Sequence, residues 1–419
     1  MSRYMITCGT KKYGLKAWII IAIITILIIF ELLGGRSYFD EIFGLCSMIY
    51  VILLYMKNKL DRTDKISVIL LILTIIIGFL SNIYSKINLS ITSIMIDAVV
   101  ETKFLWVLFA VKYYVTSKEI KDVNRILKPL AKVFCILAGI CAIVSQVINI
   151  GMTGTERYGI KGFKFFFPMS FQFLAVSMIC IAVLSIKNDK KNIRYYIPVC
   201  IALILATKSS PILFSVFFLI LLIYFKKRKV LKTRTIIILG ILVLLLGTFQ
   251  IQTYLLNENA PRYLFFYYGG KTANTYFPFG SGFATYGSDQ AARNYSPLYY
   301  RYGFNGLFGM NPEDGSFLSD TFWAMALGQF GWFGLISYIS VYMRIFIGIK
   351  HKELNYQQKA FCYAAYAAQL IHAIGSAILS SSSGVISAIA LGMVLGSTKF
   401  KINEKDSKSF LLERQNDGE

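Results

Sequence analysis

Three basic residues and one acidic residue lie in polar segments between long apolar stretches. They are Arg157 in Glu156-Arg157-Tyr158-Gly159, Lys208 in Thr207-Lys208-Ser209-Ser210, Arg262 in Glu258-Asn-Ala-Pro-Arg262, and Asp320 just before an apolar stretch. A guanidinium group can pair with two phosphate oxygens at once, and a lysine ammonium supplies a compact positive charge. A carboxylate can accept a proton from a hydroxyl group. Each of these side chains is therefore a candidate for anion binding or for acid–base chemistry.

Each of these four residues also has a structural interpretation that the sequence leaves open. Arg262 could pair with a lipid headgroup, Arg157 could anchor its loop at the membrane interface, and Lys208 could extend its amine towards water. Asp320 could cap the helix that follows it, or, with its pKa raised by desolvation, it could serve as a base.

A second group of candidates lies between Arg262 and Asp320. Gly280 and Gly282, in Pro278-Phe279-Gly280-Ser281-Gly282, could allow backbone to approach a ligand closely or could simply form a turn. Arg293 and Arg301 are further cations that could bind substrate or face solvent.

The composition indicates which elements carry these residues. Of the 419 residues, 56% are hydrophobic and 16% are charged, which excludes an ordinary water-soluble enzyme. Twelve stretches are apolar enough to be membrane helices. They predict an all-α polytopic fold, and their approximate limits are 17–33, 42–56, 66–83, 94–115, 130–150, 166–186, 195–206, 211–225, 235–255, 319–349, 360–375 and 384–398.

The distribution of charge predicts the orientation of these helices. With the N-terminus inside, the cytoplasmic segments carry 30 of the 44 Lys and Arg residues. This asymmetry favours twelve spans with both termini cytoplasmic in the cytoplasmic membrane. The net charge of +22 is therefore a signal of topology, and we expect no nucleic-acid partner.

Two local features affect the count of spans. The start of the chain resembles a signal peptide but lacks a small-residue cleavage site, so we expect a retained first helix. Pro211 favours a break between the short stretches 195–206 and 211–225. The predicted regions are an N-terminal helical membrane region (1–255), a large extracytoplasmic loop (256–318), a C-terminal helical membrane region (319–398) and a cytoplasmic tail (399–419).

The large loop is rich in tyrosine and phenylalanine, which disordered segments lack. We therefore expect it to fold over the membrane surface, with short amphipathic helices in the interface. Asp97 and Glu101 lie one turn apart on a predicted membrane helix. We interpret them as structural acids near the outer N-terminus of that helix, where its dipole favours negative charge.

Several classes of chemistry have no support in the sequence. The seven cysteines form no Cys-x-x-Cys pair, only two histidines occur, and no phosphate-binding Gly-x-x-x-x-Gly-Lys-Ser/Thr loop is present. We expect no metal and no cofactor.

Taken in order, the motifs resemble those of one known group of proteins. Arg262 is followed by Pro278-Phe279-Gly280-Ser281-Gly282, then by Asp320 at the mouth of a helix that carries Gln329-Phe330-Gly331-Trp332-Phe333-Gly334. This order resembles the bacterial O-antigen polymerase and ligase superfamily, and most of all the Wzy-type polymerases of capsule and exopolysaccharide biosynthesis. The likeness covers roughly residues 256–340. Lys208 stands where the family more often has arginine, and Asp320 where its ligases have histidine.

The resemblance implies a metal-independent glycosyltransferase that uses a polyprenyl-diphosphate-linked oligosaccharide on the outer face of the membrane. Arg262 and Asp320 would then be catalytic, and the substrate-binding residues would be Arg157, Lys208, Arg293, Arg301, Gly280 and Gly282. The expected partners are membrane lipids, a flippase and a chain-length regulator. Two alternatives stay open: a ligase that transfers finished glycan to another acceptor, and a flippase or transporter of lipid-linked oligosaccharide.

Overall fold

The computed structural model describes residues 5–8, 11–34, 38–157 and 159–397, so the predicted tail 399–419 lies outside the described residues. This part of the chain is mostly helical. In chain order its α-helices are α1 (Leu15–Leu33), α2 (Phe39–Met56), α3 (Arg62–Ser85), α4 (Ile91–Tyr114), α5 (Ser117–Val147), α6 (Ser170–Ser185), α7 (Ile193–Ile204), α8 (Ser209–Lys227), α9 (Thr233–Gln250), α10 (Pro261–Thr275), α11 (Asp289–Arg293), α12 (Pro297–Arg301), α13 (Phe322–His351), α14 (Tyr356–His372) and α15 (Ser382–Gly396).

Two small antiparallel hairpins are the β-structure of the described residues. Strand β1 (Met5–Cys8) pairs with β2 (Lys11–Gly14), and β3 (Thr153–Arg157) pairs with β4 (Ile160–Phe163). The second hairpin follows α5, and its pairing is irregular between Thr153 and Glu156. The all-α prediction omitted both hairpins.

Each of the twelve apolar stretches overlaps one helix of the structure. Six of these helices, α1, α2, α3, α5, α8 and α13, are long and apolar enough to cross a membrane. The outer face of α3 exposes Ile69, Leu73, Ile76 and Leu80, which would be unfavourable in water and is suited to lipid. The helices are thus those of a membrane protein, while the count of twelve spans stays a prediction.

Helix α4 lies at the centre of the bundle. Every residue from Val100 to Val111 is buried, and the helix packs against α2 and α15. A helix that is surrounded on all sides can carry polar groups only if they are paired inside the protein. Lys103 of α4 meets this condition, because its amine contacts Asp40 at 2.5 Å.

Helix boundaries near the candidate residues differ from the predicted limits in two places. Helices α7 and α8 are separate, with the break at residues 205–208, as the proline indicated. The stretch 319–349 begins as a helix only at Phe322 and is interrupted at Gly331, whose φ of 60° and ψ of −166° are not helical.

The large loop folds around a hydrophobic core of its own. It contains α10, α11 and α12, and α10 packs against α13. Aromatic rings dominate this core, and the hydroxyl of Tyr286 donates a hydrogen bond of 2.7 Å to the Phe265 carbonyl. The buried core residues are Phe265, Tyr286, Ala291, Leu298, Tyr299, Phe304, Met310, Leu318 and Ala324.

Residues 280–288, which we call the buried loop, form a non-helical segment in which every residue is buried. Such backbone is stable only where its polar groups find partners in the protein. Helix α3 supplies several of them. The Asn82 carboxamide accepts from the Phe283 nitrogen and donates to the Phe283 oxygen, both at 2.8 Å. The Ser85 hydroxyl donates to the Ser281 carbonyl at 2.7 Å.

The interruption of α13 supplies further partners for the buried loop. Helix geometry ends at Gly331, and the carbonyls of Gly328 and Gln329 accept hydrogen bonds from the nitrogens of Ser281 and Gly282, both at 2.9 Å. The Pro-x-Gly-x-Gly and Gln-Phe-Gly motifs are therefore in direct backbone contact.

Asp97 of α4 closes the buried loop from the other side. Its Oδ2 atom accepts hydrogen bonds from the Ala284 nitrogen at 2.5 Å and from the Gln329 carboxamide at 3.0 Å. Glu101 accepts a 2.5 Å bond from the Ser380 hydroxyl. Both acids lie beyond the first turn of α4 and are buried, so the interpretation based on the helix dipole was wrong.

We predict that Gly280→Ala will destabilise the protein far more than Gly303→Ala. Both glycines have positive φ, 81° and 73°, so both substitutions introduce the same backbone strain. At Gly280 the added Cβ would also lie 2.3 Å from the Gly331 nitrogen, whereas at Gly303 it would meet nothing within 4 Å. Overpacking of this kind costs about 1–3 kcal/mol more. Equal melting temperatures of the two purified variants in detergent would contradict the docked geometry.

Candidate functional site

Arg262 is the central residue of the candidate site. It is the second residue of α10, which Pro261 begins and which the contacts with α13 hold in place. The Arg262 guanidinium lies 4.7 Å from the centre of the Tyr254 ring, an arrangement typical of cation–π contacts. Its Nη2 atom lies 4.0 Å from Oδ2 of Asp320. About 29% of the Arg262 side chain is exposed, so it is accessible to a ligand.

Asp320 does not cap helix α13. The position before the first helical residue is Thr321, and the structure gives neither residue a capping hydrogen bond. The Asp320 carboxylate faces Arg262 instead, with 39% of its side chain exposed. Partial burial raises the pKa of Asp320, and the positive charge of Arg262 opposes this shift. The pKa of Asp320 is thus higher than that of an ordinary aspartate, despite the neighbouring cation.

Lys208 reaches the same region from the break between α7 and α8. It is the residue before α8, and it follows Thr207, whose positive φ of 54° turns the chain sharply. Partial burial lowers the pKa of the Lys208 amine, and the charges of Arg157 and Arg262 lower it further. Lys208 therefore lies within electrostatic reach of both Arg157 and Arg262.

The hairpin of β3 and β4 brings Arg157 to this region. The Phe163 nitrogen donates a 2.9 Å hydrogen bond to the Leu205 carbonyl, which ties β4 to the end of α7. Gly162 allows this approach, because a Cβ there would lie 2.9 Å from the Thr207 hydroxyl. Arg157, at the end of β3, is exposed.

The structure does not bring the other candidate residues into these contacts. Arg293 pairs with Asp289 at 2.7 Å, and Arg301 donates a 2.9 Å hydrogen bond to the Tyr276 hydroxyl. Gly280 and Gly282, which belong to the buried loop, are enclosed by helices. Gly280 packs against the backbone of α13, and Gly282 packs against Asn82 of α3. Their small size is explained by this packing.

Three neighbours of Arg262 were not among the candidates. Besides Tyr254, they are Gly375, where a Cβ would lie 3.2 Å from the Arg262 guanidinium carbon, and His372, which lies within the electrostatic reach of Arg262. Nδ1 of His372 is buried and has no hydrogen-bond partner among the described residues. Because the chain has only two histidines, His372 could have been singled out from the sequence. Nothing in the sequence, however, linked residues 372–375 to residue 262.

The site as a whole combines three cations with one carboxylate. Cations at close quarters favour a ligand with several negative charges, such as a diphosphate. A carboxylate beside such a group of cations can take a proton from a hydroxyl held next to the ligand. The arrangement is suited to group transfer from a phosphorylated donor to an alcohol.

The proximity of the three cations predicts the reactivity of Lys208. We expect Arg262→Gln to raise the pKa of Lys208 and to slow its acetylation by acetic anhydride near pH 8, because less of the amine is neutral. One pKa unit changes the neutral fraction about tenfold, so a decrease of about twofold or more is expected. Arg301→Gln is the control, since Arg301 is not among the charges that act on Lys208. Equal reactivity of Lys208 in both variants, measured by mass spectrometry, would contradict the proximity of Arg262 to Lys208.

Comparison of the chain with protein-family models, with curated proteins and with solved structures finds no match. A functional assignment therefore depends on the site itself and on the resemblance of the motifs.

Proposed function

We propose that this protein is a polysaccharide polymerase that joins polyprenyl-diphosphate-linked oligosaccharide repeat units on the outer face of the cytoplasmic membrane. The observation that carries the proposal is the pair of Arg262 and Asp320, 4.0 Å apart, with Lys208 within electrostatic reach of Arg157 and Arg262. These residues come from four separate segments of the chain. The segments of Arg262 and Asp320 lie within residues 256–340, which the motif resemblance covers.

The predicted topology supports an outer location for the reaction. With twelve spans and both termini inside, residues 151–165, 207–210 and 256–318 all lie outside the membrane. Positive charge is disfavoured in outer loops, so a group of cations there calls for an anionic ligand. A lipid diphosphate anchored in the outer leaflet would present such a ligand at this depth.

In the proposed reaction the cations hold the diphosphate of the donor. The hydroxyl oxygen of the acceptor sugar bonds to the anomeric carbon of the donor, and the bond from that carbon to the diphosphate oxygen breaks. The diphosphate leaves with the bonding electrons, and Arg262 stabilises the charge that develops on it. Asp320 accepts the proton of the acceptor hydroxyl. Neither step needs a metal or a nucleotide.

Replacement of Arg262 tests the donor-binding role. We expect Arg262→Gln to reduce polymer formation by roughly 100-fold, because a charged hydrogen bond to the leaving group is lost. The assay incubates purified protein with a defined polyprenyl-diphosphate repeat unit and follows the product ladder on a gel. Arg228→Gln is the matched control, since Arg228 is an exposed cation at the far end of α8. A wild-type ladder from Arg262→Gln would reject the assignment of the site.

The same assay separates the proposal from its two alternatives. A ladder from the repeat unit alone supports a polymerase. Reaction only after a second acceptor is added would indicate a ligase, which shares the donor. Movement of the lipid-linked glycan across vesicles without bond formation would indicate a flippase.

The pKa of Asp320 predicts how activity depends on pH. A base must be deprotonated, so the rate should fall as the pH drops through the pKa of Asp320. Burial raises this pKa above the ordinary aspartate value of about 4. We expect Asp320→Asn to lower the rate by about 10²–10⁴-fold and to remove this acidic limb. Asp320→Glu should retain the limb. An unchanged pH profile in Asp320→Asn would show that another group is the base.

A further inference from the structure

A second basic site lies at the opposite end of helix α5 from the Arg157 hairpin. A cavity of about 530 Å³ opens between the first half of α5, the segment after α6 and the end of α15. Its cationic lining residues are Lys121, Arg125, Lys128, Lys132 and Lys187. With 31 residues, α5 is roughly 46 Å long, so the cavity is distinct from the Arg262 site.

The charge around this cavity is strongly unbalanced. None of the residues that line it in the described part of the chain is acidic. Lys128 lies within electrostatic reach of Lys132 and Lys187, and among the described residues the acid that acts on it is Asp189. Asp189 is engaged with the backbone of Lys191 at 2.9 Å, and Asp122 on α5 accepts from the Gly14 nitrogen at 3.2 Å. An anionic ligand would relieve the repulsion among the lysines.

A buried polar side chain also belongs to the cavity wall. Asn124 lines the cavity and is 4% exposed. Its carboxamide adds an uncharged polar group among the cations of the lining.

The surroundings of the cavity favour a lipid as the source of the phosphate. Ile120, Pro129 and Ile186 form an apolar part of its wall. Further along α5, Ile136, Ile140 and Ile143 are exposed at 40%, 53% and 57%. They follow Lys132 at three- and four-residue spacing, so they continue the same side of the helix away from the cavity. A headgroup among the lysines could thus have its acyl chains against the adjacent surface of α5.

From this arrangement we infer that the cavity binds the phosphate headgroup of an anionic phospholipid, with the acyl chains along α5. In the predicted topology residues 116–129 and 187–194 are cytoplasmic, so the lipid belongs to the inner leaflet. Basic pockets between membrane helices on this side are suited to such headgroups. The inference is independent of the chemistry proposed at Arg262.

The test measures lipid binding by the full-length protein. Native mass spectrometry in detergent would follow binding of phosphatidylglycerol to the wild type and to the triple variant K121Q/K128Q/K187Q. We expect the triple variant to lose affinity for phosphatidylglycerol by about tenfold or more, since each basic residue near a headgroup contributes to affinity. The matched control is K226Q/K227Q/K229Q, which removes three exposed lysines at the end of α8 and should bind like the wild type.

Three outcomes would overturn the inference. Equal loss of binding in both triple variants would indicate general attraction of anionic lipid to a basic surface. Equal binding of phosphatidylcholine and phosphatidylglycerol by the wild type would exclude recognition of net negative charge. Displacement of the lipid by inorganic phosphate at comparable concentration would identify a site for a soluble anion. The last two measurements use only the wild type, so they decide the matter even if the triple variant fails to fold.

Discussion

The need to pair the backbone of the buried loop constrains the rest of this structure. Nine consecutive non-helical residues, 280–288, are removed from solvent among apolar helices. Each peptide group left without a hydrogen bond in such apolar surroundings would cost on the order of several kcal/mol. Asn82, Ser85 and Asp97 supply side-chain partners, and the broken helix α13 supplies carbonyls.

This pairing connects the interior of the bundle to the candidate site. The buried loop binds to α13 at the Gly331 break, and α10 packs against the same helix. Arg262 at the start of α10 and Asp320 just before α13 are therefore held by one set of contacts. Asp97 of α4 is thus connected to the candidate site through the buried loop that it holds and through α13.

Much of the fold could be predicted from the sequence, and the reasons for the omissions are physical. Each predicted apolar stretch overlaps a helix, because runs of apolar residues must shield their own backbone in lipid. Pro211 indicated the break before α8. The sequence did not reveal the interruption of α13, because glycines 328, 331 and 334 are compatible with a continuous helix until the buried loop is docked against them. Asp97 was misread for the same reason, since its partners, Ala284 and Gln329, are distant in sequence.

For the candidate site, residue types were predictable and proximity was not. Arg157, Lys208 and Arg262 lie on three segments whose approach depends on the Phe163–Leu205 hydrogen bond and on the packing of α10. Their convergence leaves three positive charges facing one carboxylate. Partial burial lowers the pKa of Lys208, and the charges of Arg157 and Arg262 lower it further. The fold therefore maintains an excess of positive charge at this end of the bundle, which the predicted topology places on the outer side. Because folding already brings the cations together, a multiply charged anion that bound there would recover part of that free energy as affinity.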